Sequence, residues 1–392
     1  MGAGGLLISG RARDLSTLMM KSPARSARPV RFAVVGLGHI AQAAVLPAFK
    51  HARRHVKLTA LVSDTPAKLK QLGRRYGVKK LYSYDDARDL FSSGEIEAVY
   101  IALPNTLHAA WTIRAADAGL HVLCEKPLAT TVRDCERMIE ACERNRVHLM
   151  TAYRLHFERC NLEVADIVRK KRIGDARFFD AQFSMQVKPN NIRVKRELGG
   201  GPEWDIGIYC QNAARCVFAD EPTQVWATTT NSGDARFTEV PETVHVVMKF
   251  PRNRAANFIC SFGAADRSRY AVVGTKGSIT VDPAFEYADA LSYELTVGGR
   301  KRRKEFAKSD QFAPELIHFA KCIRANRQPE PSGLEGLIDV AIIEAIHRSV
   351  LTGGWVAVES PTKRRRPNLA QEMRKPAVPR EPSLVQVESG HG

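Results

Sequence analysis

The sequence predicts an α/β protein in which a parallel sheet is followed by a large, mostly antiparallel one. Between residues 30 and 153, short apolar runs alternate with helical segments, which is typical of parallel strands joined by crossover helices. Between residues 154 and 358, longer runs of alternating polarity are joined by short turns, which favours an antiparallel sheet with one open face. A chain of 392 residues is also long enough to form two hydrophobic cores. We therefore predict two domains, 30–153 and 154–358.

The first domain is divided by its apolar runs. The predicted strands are Arg31–Val35, Lys57–Val62, Ala98–Leu103, His121–Cys124 and Val147–Thr151. The predicted helices are Ile40–Ala52, Pro66–Tyr76, Asp85–Phe91, Leu107–Ala118 and Val132–Arg144. Each of these strands is too apolar to face water, so the crossover helices are expected to cover the sheet.

The second domain is richer in strands. The predicted strands are Ala176–Val187, Thr223–Thr230, Thr243–Phe250, Ala255–Phe262, Tyr270–Val273, Ser278–Val281 and Leu291–Val297. The predicted helices are Glu158–Lys170, Pro314–Asn326 and Gly333–Leu351. The basic run Arg300–Lys304 follows a Gly-Gly turn, so we predict a loop or hairpin tip there.

Basic residues are concentrated near the chain ends. The formal net charge is +17, and residues 1–31 and 362–392 together supply about half of that excess. We predict a flexible arm over residues 1–29 and a disordered basic tail over 359–392, where Pro, Lys and Arg dominate without periodicity. Solvated tails and a charged loop account for the charge, so nucleic-acid binding is not favoured.

Several cellular settings are disfavoured by composition. No apolar run approaches the length of a membrane span, and the first twenty residues lack the pattern of a secretory signal. The eight cysteines are dispersed, with neither a CxxC pair nor a histidine at metal-ligand spacing. We predict a cytoplasmic protein with reduced cysteines, no metal site and no membrane partner.

A glycine turn follows the first predicted strand. Gly36 permits a tight turn, Gly38 lets the backbone approach a pyrophosphate, and small Ala41 lets helix and strand pack closely. The turn opens a helix whose N-terminal amides face phosphates. We therefore predict a Rossmann domain for NAD or NADP, with these cofactor-binding residues: Gly36, Leu37, Gly38, His39 and Ile40.

The end of the second predicted strand bears on the choice of cofactor. Ser63 stands where an NAD-preferring domain usually has Asp or Glu, and it carries no charge to repel a 2′-phosphate. Lys68 lies one helical turn further on, within reach of such a phosphate. These residues favour NADP. Asp64 keeps NAD open, because a small loop rotation would turn its carboxylate toward the ribose, and Lys68 could instead be a solvated lysine.

Two constellations carry candidate chemistry. Glu125 and Lys126 follow a strand at the carboxyl edge of the sheet, where α/β proteins bind ligands, and Pro127 restricts the Lys126 backbone. Asp205 and Tyr209 follow a triple glycine at helical i, i+4 spacing, so both are expected on one face. A phenol becomes a useful base when a nearby ammonium stabilises the phenolate, and Lys126 is the natural candidate. A surface ion pair and a helix packed by Tyr209 are the simpler alternatives.

These motifs, in this order, resemble those of the glucose-fructose oxidoreductase, inositol dehydrogenase and rhizopine-catabolism family, most closely its glucose-fructose oxidoreductase branch. The likeness runs from about residue 30 to 352 and is carried by GLGHIAQAAVLPAF, EAVYIALPNTLHA, HVLCEKPLAT, MTAYRLHF and RELGGGPEWDIGIY. Most of the family has His where this chain has Tyr209, and Tyr is typical of that branch. Asp64, the basic tail and the absent export signal depart from it.

The resemblance implies roles for these residues. Lys126 would orient a sugar and tune the base, Asp205 would hydrogen-bond the sugar, and Tyr209 would remove its hydroxyl proton. Arg154 and His156 would line the substrate pocket, although His156 could equally be a satisfied interface histidine. The further cofactor-binding residues predicted are Pro104, Asn105, His108, Glu125 and Lys126. Asn105 could alternatively cap a helix.

The function predicted is an NADP-dependent oxidoreductase that passes a hydride between the C1 hydroxyl of an aldose and nicotinamide. One version keeps the cofactor bound while two sugars reduce and reoxidise it, as an N-terminal arm allows in the resembling branch. The alternatives are an ordinary sugar dehydrogenase or keto-sugar reductase with exchangeable cofactor, and a non-catalytic NADP sensor or nucleic-acid-associated protein. An open sheet face also predicts a homo-oligomer.

Overall fold

A computed structural model describes residues 28–361, 365–379 and 382–387, and the fold class is confirmed. The arm predicted at 1–29 lies almost wholly outside the described residues. The first sheet is parallel in the order β3-β2-β1-β4-β5-β6. Its strands are β1 (Val30–Val35), β2 (Val56–Val62), β3 (Lys80–Tyr82), β4 (Ala98–Ile101), β5 (His121–Glu125) and β6 (Leu149–Ala152). Its helices are α1 (Leu46–Ala52), α2 (Pro66–Tyr76), α3 (Ala87–Ser92), α4 (His108–Asp117) and α5 (Val132–Arg144).

Two features of this domain differ from the sequence prediction. A π-helical segment, Ala41–Val45, runs directly into α1, so the predicted helix is continuous but changes its winding. The strand β3 was not predicted, because three half-exposed or exposed residues carry no apolar signal. The central strands β1 and β4 are buried along almost their whole length, as their continuous apolar runs require.

The second sheet has nine strands in the order β14-β13-β12-β11-β7-β10-β9-β8-β15. Their bounds are β7 (Ala176–Gln186), β8 (Gln224–Thr230), β9 (Thr243–Phe250), β10 (Arg254–Ser261), β11 (Gly263–Gly274), β12 (Gly277–Val281), β13 (Leu291–Val297), β14 (Arg300–Phe306) and β15 (Val356–Ala357). The pair β7 and β10 is parallel, and the other neighbours are antiparallel. One face is covered by α6 (Arg159–Arg169), α7 (Ile208–Phe218) and α9 (Gly333–Thr352), while α8 (Phe312–Ala325) packs against α1.

The loop or hairpin tip predicted at Arg300–Lys304 is wrong, because these residues belong to β14. The strand pairs in register with β13, Leu295 facing Arg302, and forms an exposed sheet edge. Basic side chains are common on such edges, because their charge discourages pairing with another chain. Because these residues are charged, the strand lacks the alternation of apolar and polar residues that indicates a half-buried strand.

The disordered tail predicted over 359–392 is also wrong for 365–379 and 382–387, which pack on the folded chain. The Met373 amide donates to the Phe157 carbonyl, and Ser309 bridges to Pro376. Val385 is 5% exposed. The segment has no periodic pattern because single apolar residues and backbone bonds anchor it. Within the described part of the chain, no helix is long and apolar enough to cross a bilayer.

Candidate active site

The glycine turn has the geometry that a dinucleotide needs. Gly36 has φ +92°, and a Cβ there would lie 2.4 Å from the Ala102 carbonyl oxygen. No other residue fits that position. A Cβ on Gly38 would meet no atom within 4 Å, so the backbone is open to an incoming pyrophosphate. Leu37 is buried behind the turn, while His39 and Ile40 are half-buried at the start of the helix.

The residues after β2 differ in how free their side chains are to contact a ribose phosphate. Ser63 is buried, and its hydroxyl accepts a bond from the Thr65 amide at 3.2 Å. The Asp64 carboxylate accepts a bond from the Tyr84 amide at 2.7 Å, which holds it against the loop after β3. Lys68 is half-buried, makes no ion pair among residues 28–361, 365–379 and 382–387, and burial lowers the pKa of its ammonium. The lysine is therefore the available partner for a phosphate here.

Lys126 is held between the end of β5 and the segment that carries Asp205. Its ammonium donates to the Asp205 backbone carbonyl at 2.6 Å and to a carboxylate oxygen of Asp205 at 2.9 Å. The same nitrogen lies 4.8 Å from the centre of the Tyr209 ring. Burial alone would lower the pKa of Lys126, but Asp205 and Tyr209 outweigh it and raise that pKa. The ammonium is therefore held in its charged form beside the phenol.

Asp205 lies in the π-helical segment Glu203–Gly207, which continues into α7 with Tyr209 in its first turn. Its second carboxylate oxygen accepts a bond from the Arg193 guanidinium. Burial would raise the pKa of Asp205, but Arg193 and Lys126 outweigh it and lower that pKa. The carboxylate therefore stays ionised. Arg193 was missed by the sequence analysis, because it lies in an irregular segment without a pattern.

Arg154 is a second cation close to Tyr209. Its guanidinium carbon is 4.9 Å from the centre of the Tyr209 ring and 5.4 Å from that of Tyr287. It donates to the Gln311 side chain and to the Phe285 carbonyl, and it is 5% exposed. Two cations, Lys126 and Arg154, thus lie within 5 Å of the centre of the phenol ring, and both favour a developing negative charge.

His156 does not fit the substrate-binding role predicted for it. It is 2% exposed, and its Nε2 lies 2.9 Å from the Asn212 side-chain oxygen. Its ring also stacks on Tyr153 and lies 3.8 Å from Glu335. Asn212 and Glu335 belong to a buried polar cluster that also contains Arg215 and Asp339. These buried contacts favour the alternative left open by the sequence, a satisfied interface histidine.

Two further residues predicted to bind cofactor, Asn105 and His108, make hydrogen bonds that hold loops together. Asn105 follows Pro104 after β4, and it donates to the Gly199 carbonyl at 2.8 Å without capping a helix. His108 is fully buried, with its ring nitrogens 2.8 Å from the Pro127 carbonyl and 3.0 Å from the Leu103 carbonyl. These contacts fix the loops on either side of Lys126. A direct cofactor contact by His108 does not fit its burial.

Glu125 is likewise buried behind the pocket. It accepts a bond from the Tyr100 hydroxyl at 2.7 Å. Glu315, in the first turn of α8, is fully buried, and neither of its carboxyl oxygens has a hydrogen-bond partner within the described part of the chain. Burial, with a further contribution from Glu125, raises the pKa of Glu315 well above its usual range. Burial therefore favours the neutral form of Glu315.

A parallel sheet with this glycine turn, together with an ammonium, a carboxylate and a phenol at its carboxyl edge, defines a nucleotide-dependent oxidoreductase. Residues 30–153 match the oxidoreductase family with an NAD-binding Rossmann fold, and residues 161–280 match the GFO/IDH/MocA C-terminal domain. The chain belongs to this GFO/IDH/MocA oxidoreductase family.

Similar proteins include oxidoreductases of sugars. An uncharacterized oxidoreductase of Rhizobium meliloti is 33% identical, over 84% of this chain and 99% of its own length. A D-xylose 1-dehydrogenase [NADP(+)] of Haloarcula marismortui is 30% identical, over 84% of this chain and 94% of its own. The crystal structure of an aldose-aldose oxidoreductase from Caulobacter crescentus, complexed with glycerol, is 37% identical with a TM-score of 0.80, over 84% of this chain and 100% of its own.

Proposed function

We propose that the protein is an NADP-dependent sugar oxidoreductase that oxidises the C1 hydroxyl of an aldose. The observation that carries this proposal is the convergence of Lys126, Asp205 and Tyr209 at the carboxyl edge of the nucleotide-binding sheet. The relatives named as a D-xylose dehydrogenase and an aldose-aldose oxidoreductase support the same substrate class. The charged and phenolic side chains that gather here also suit a polyol, which needs many hydrogen-bond partners.

The residues divide the chemistry between them. Tyr209 takes the proton of the sugar hydroxyl, and the two adjacent cations, Lys126 and Arg154, stabilise its phenolate form. Asp205 orients Lys126 and accepts a hydrogen bond from the sugar. When bound, nicotinamide would accept a hydride from the carbon that carries this hydroxyl. The alcohol would then lose one proton and one hydride and become a carbonyl.

NADP is proposed over NAD because of Lys68 and Asp64. Lys68 makes no ion pair within the part of the chain that the structure describes, and Asp64 is tied to the Tyr84 amide rather than free to bind ribose hydroxyls. Lys68→Ala should weaken NADP binding about tenfold and leave NAD binding unchanged. Nucleotide titrations followed by protein fluorescence measure both affinities. Equal weakening for both nucleotides would remove Lys68 from phosphate recognition.

A cofactor that stays bound is the finer version of this proposal. Purified protein given an aldose alone should then develop the absorbance band of reduced nicotinamide, and a second sugar should bleach it. A protein that carries no nucleotide after purification acts instead as a dehydrogenase or keto-sugar reductase with exchangeable cofactor. A reductase is the second candidate because a dTDP-3,4-didehydro-2,6-dideoxy-alpha-D-glucose 3-reductase of Saccharopolyspora spinosa is 31% identical.

We further propose that a second copy of the chain covers the open face of the nine-stranded sheet. Ile259 lies on that face and is 38% exposed, and Phe178 near its end is 45% exposed. Such apolar residues on a sheet surface are typical of an interface. Sedimentation velocity should find a dimer or tetramer, and Ile259→Lys should shift it toward monomer. A monomer at all concentrations would contradict the proposal.

A further inference from the structure

The C-terminal strap, defined as residues 365–379 and 382–387, links the second sheet to the nucleotide-binding turn. Near its start, the Arg366 guanidinium lies 2.7 Å from Glu221, and Arg169 donates to the Pro367 carbonyl at 2.8 Å. Further on, the Lys375 carbonyl accepts a bond from the Asp310 amide. The strap therefore spans the molecule instead of leaving it.

The end of the strap binds a buried side chain beside the glycine turn. The Val385 amide donates to the Gln42 side-chain oxygen at 2.7 Å, and the Gln42 nitrogen donates back to the Val385 carbonyl at 3.1 Å. The same nitrogen donates to the Leu37 carbonyl at 2.8 Å. Gln42 is fully buried. One amide side chain thus connects the strap to the peptide between Leu37 and Gly38.

The hydrogen bond from Gln42 to the Leu37 carbonyl sets the direction of the Gly38 N–H. The peptide unit is planar, so the Leu37 carbonyl and the Gly38 N–H point in opposite directions and turn together. Backbone N–H groups at such a turn hold the pyrophosphate of a dinucleotide. When Gln42 holds the Leu37 carbonyl, the Gly38 N–H is directed away from Gln42, and the absence of atoms within 4 Å of a Cβ on Gly38 leaves room for a pyrophosphate beside this residue.

We propose that Gln42 and Val385 are positioning residues for nucleotide binding, through which the strap keeps the glycine turn in its binding shape and slows nucleotide release. This inference rests on the nucleotide binding assigned to the Rossmann domain. Without the strap, the buried Gln42 oxygen loses its donor, and a buried unpaired polar atom is costly enough to make the side chain reorient. The Leu37 carbonyl then loses its partner as well.

A second contact holds the strap end without touching the turn. Arg75, near the end of α2, donates to the Ser383 carbonyl at 2.8 Å and to its hydroxyl at 3.0 Å. The backbone around Val385 is therefore supported from α2, and Val385 itself packs with the buried residues of α1. The strap can hold Gln42 because its own position is set by these independent contacts.

The test compares two truncations of the full chain. Removal of 380–392 deletes Val385, whereas removal of 388–392 keeps every contact described above and serves as the matched control. The longer truncation should raise the Kd and the dissociation rate of NADP about tenfold. Its kcat at saturating nucleotide and its KM for sugar should stay within about twofold of the intact chain. The shorter truncation should match the intact chain.

The variant Gln42→Leu in the full chain keeps the proposal testable if the longer truncation fails to fold. It should reproduce the loss of NADP affinity, and adding the longer truncation to it should cause little further loss, because both remove one connection. If NADP dissociation is unchanged in either variant, the proposed role of the strap is wrong and the nucleotide assignment still stands. An intact chain that binds neither NADP nor NAD overturns the nucleotide assignment and this inference with it.

Discussion

Two charged clusters each include one residue of the helical stretch that runs from Glu203 to Phe218, yet they differ in access to solvent. In the pocket cluster, the side chains of Lys126, Asp205 and Arg193 are 10%, 22% and 24% exposed. In the buried cluster, Arg215, Glu335 and Asp339 are exposed by 3% at most. Both clusters pair basic side chains with carboxylates. Access to a ligand, rather than charge itself, distinguishes a site of chemistry from a structural ion pair.

The buried cluster also explains how the pocket is kept rigid. Arg215 of α7 binds Glu335 and Asp339 of α9, and it binds Glu221 as well. The same helix, α7, carries Tyr209 about two turns earlier. A guanidinium with three carboxylate partners is satisfied in a way that an isolated buried charge is not. The cluster thereby holds α7, and with it the phenol, against α9.

The largest effect is expected from Tyr209→Phe in the pocket cluster. Loss of the phenol should lower kcat by about 10²- to 10⁴-fold, because it removes the group assigned to take the proton. The free energy of unfolding should change little, since the ring packs beside Phe183 and Phe285 and remains in place. Initial rates with an aldose and NADP, together with thermal unfolding, measure both quantities.

The matched control for that variant is Tyr153→Phe in the buried cluster. The Tyr153 hydroxyl donates to Asp339 at 2.6 Å, so its loss should lower the free energy of unfolding by about 1–3 kcal/mol. The folded variant should retain its kcat. If both variants lost activity and stability together, the division between the two clusters would be wrong.

Arg215→Met sharpens the same comparison from the structural side. It leaves Glu335 and Asp339 buried beside each other without their cation, which should cost about 3–5 kcal/mol of stability. Chemical unfolding measures this loss, and catalysis by the remaining folded protein should be nearly normal at low temperature. Full stability in the variant would mean that the cluster does not hold α7.

Asp205→Asn should have an intermediate effect on the pocket. Lys126 loses the neighbour that most strongly raises its pKa, so that pKa should fall toward the value set by burial. Activity should therefore decline at a lower alkaline pH than in the unaltered protein, and the KM for sugar should rise about tenfold. A pH profile of kcat/KM tests this, and an unchanged alkaline limb would contradict the assigned coupling.

The smallest effect is expected from Glu315→Gln behind the pocket. The folded state keeps Glu315 protonated, while the unfolded chain releases that proton above the usual glutamate pKa. Stability of the unaltered protein therefore falls as the pH rises through that range, and the variant should escape this loss. We expect it to be more stable by about 1–3 kcal/mol at pH 7 and no more stable near pH 4. Equal Tm gains at both pH values would contradict a neutral buried acid.

Local sequence patterns explain which residues of the fold and of the site could be predicted from the sequence. Lys126 and Tyr209 could be predicted because each follows a strong signal, a strand end or a glycine-rich turn. Arg193 could not, because it sits in an irregular segment and only the fold brings it to Asp205. The contact of Val385 with Gln42 joins positions 343 residues apart, which no local pattern encodes.

Transfer of deuterium from sugar to nucleotide is a direct measurement of hydride transfer from a sugar carbon. The protein is mixed with NADP and an aldose deuterated at C1, and the reduced nucleotide is analysed by mass spectrometry. We expect one deuterium in each reduced nicotinamide and a slower reaction than with unlabelled sugar. Deuterium that remains on the sugar, or that appears in water, would contradict it.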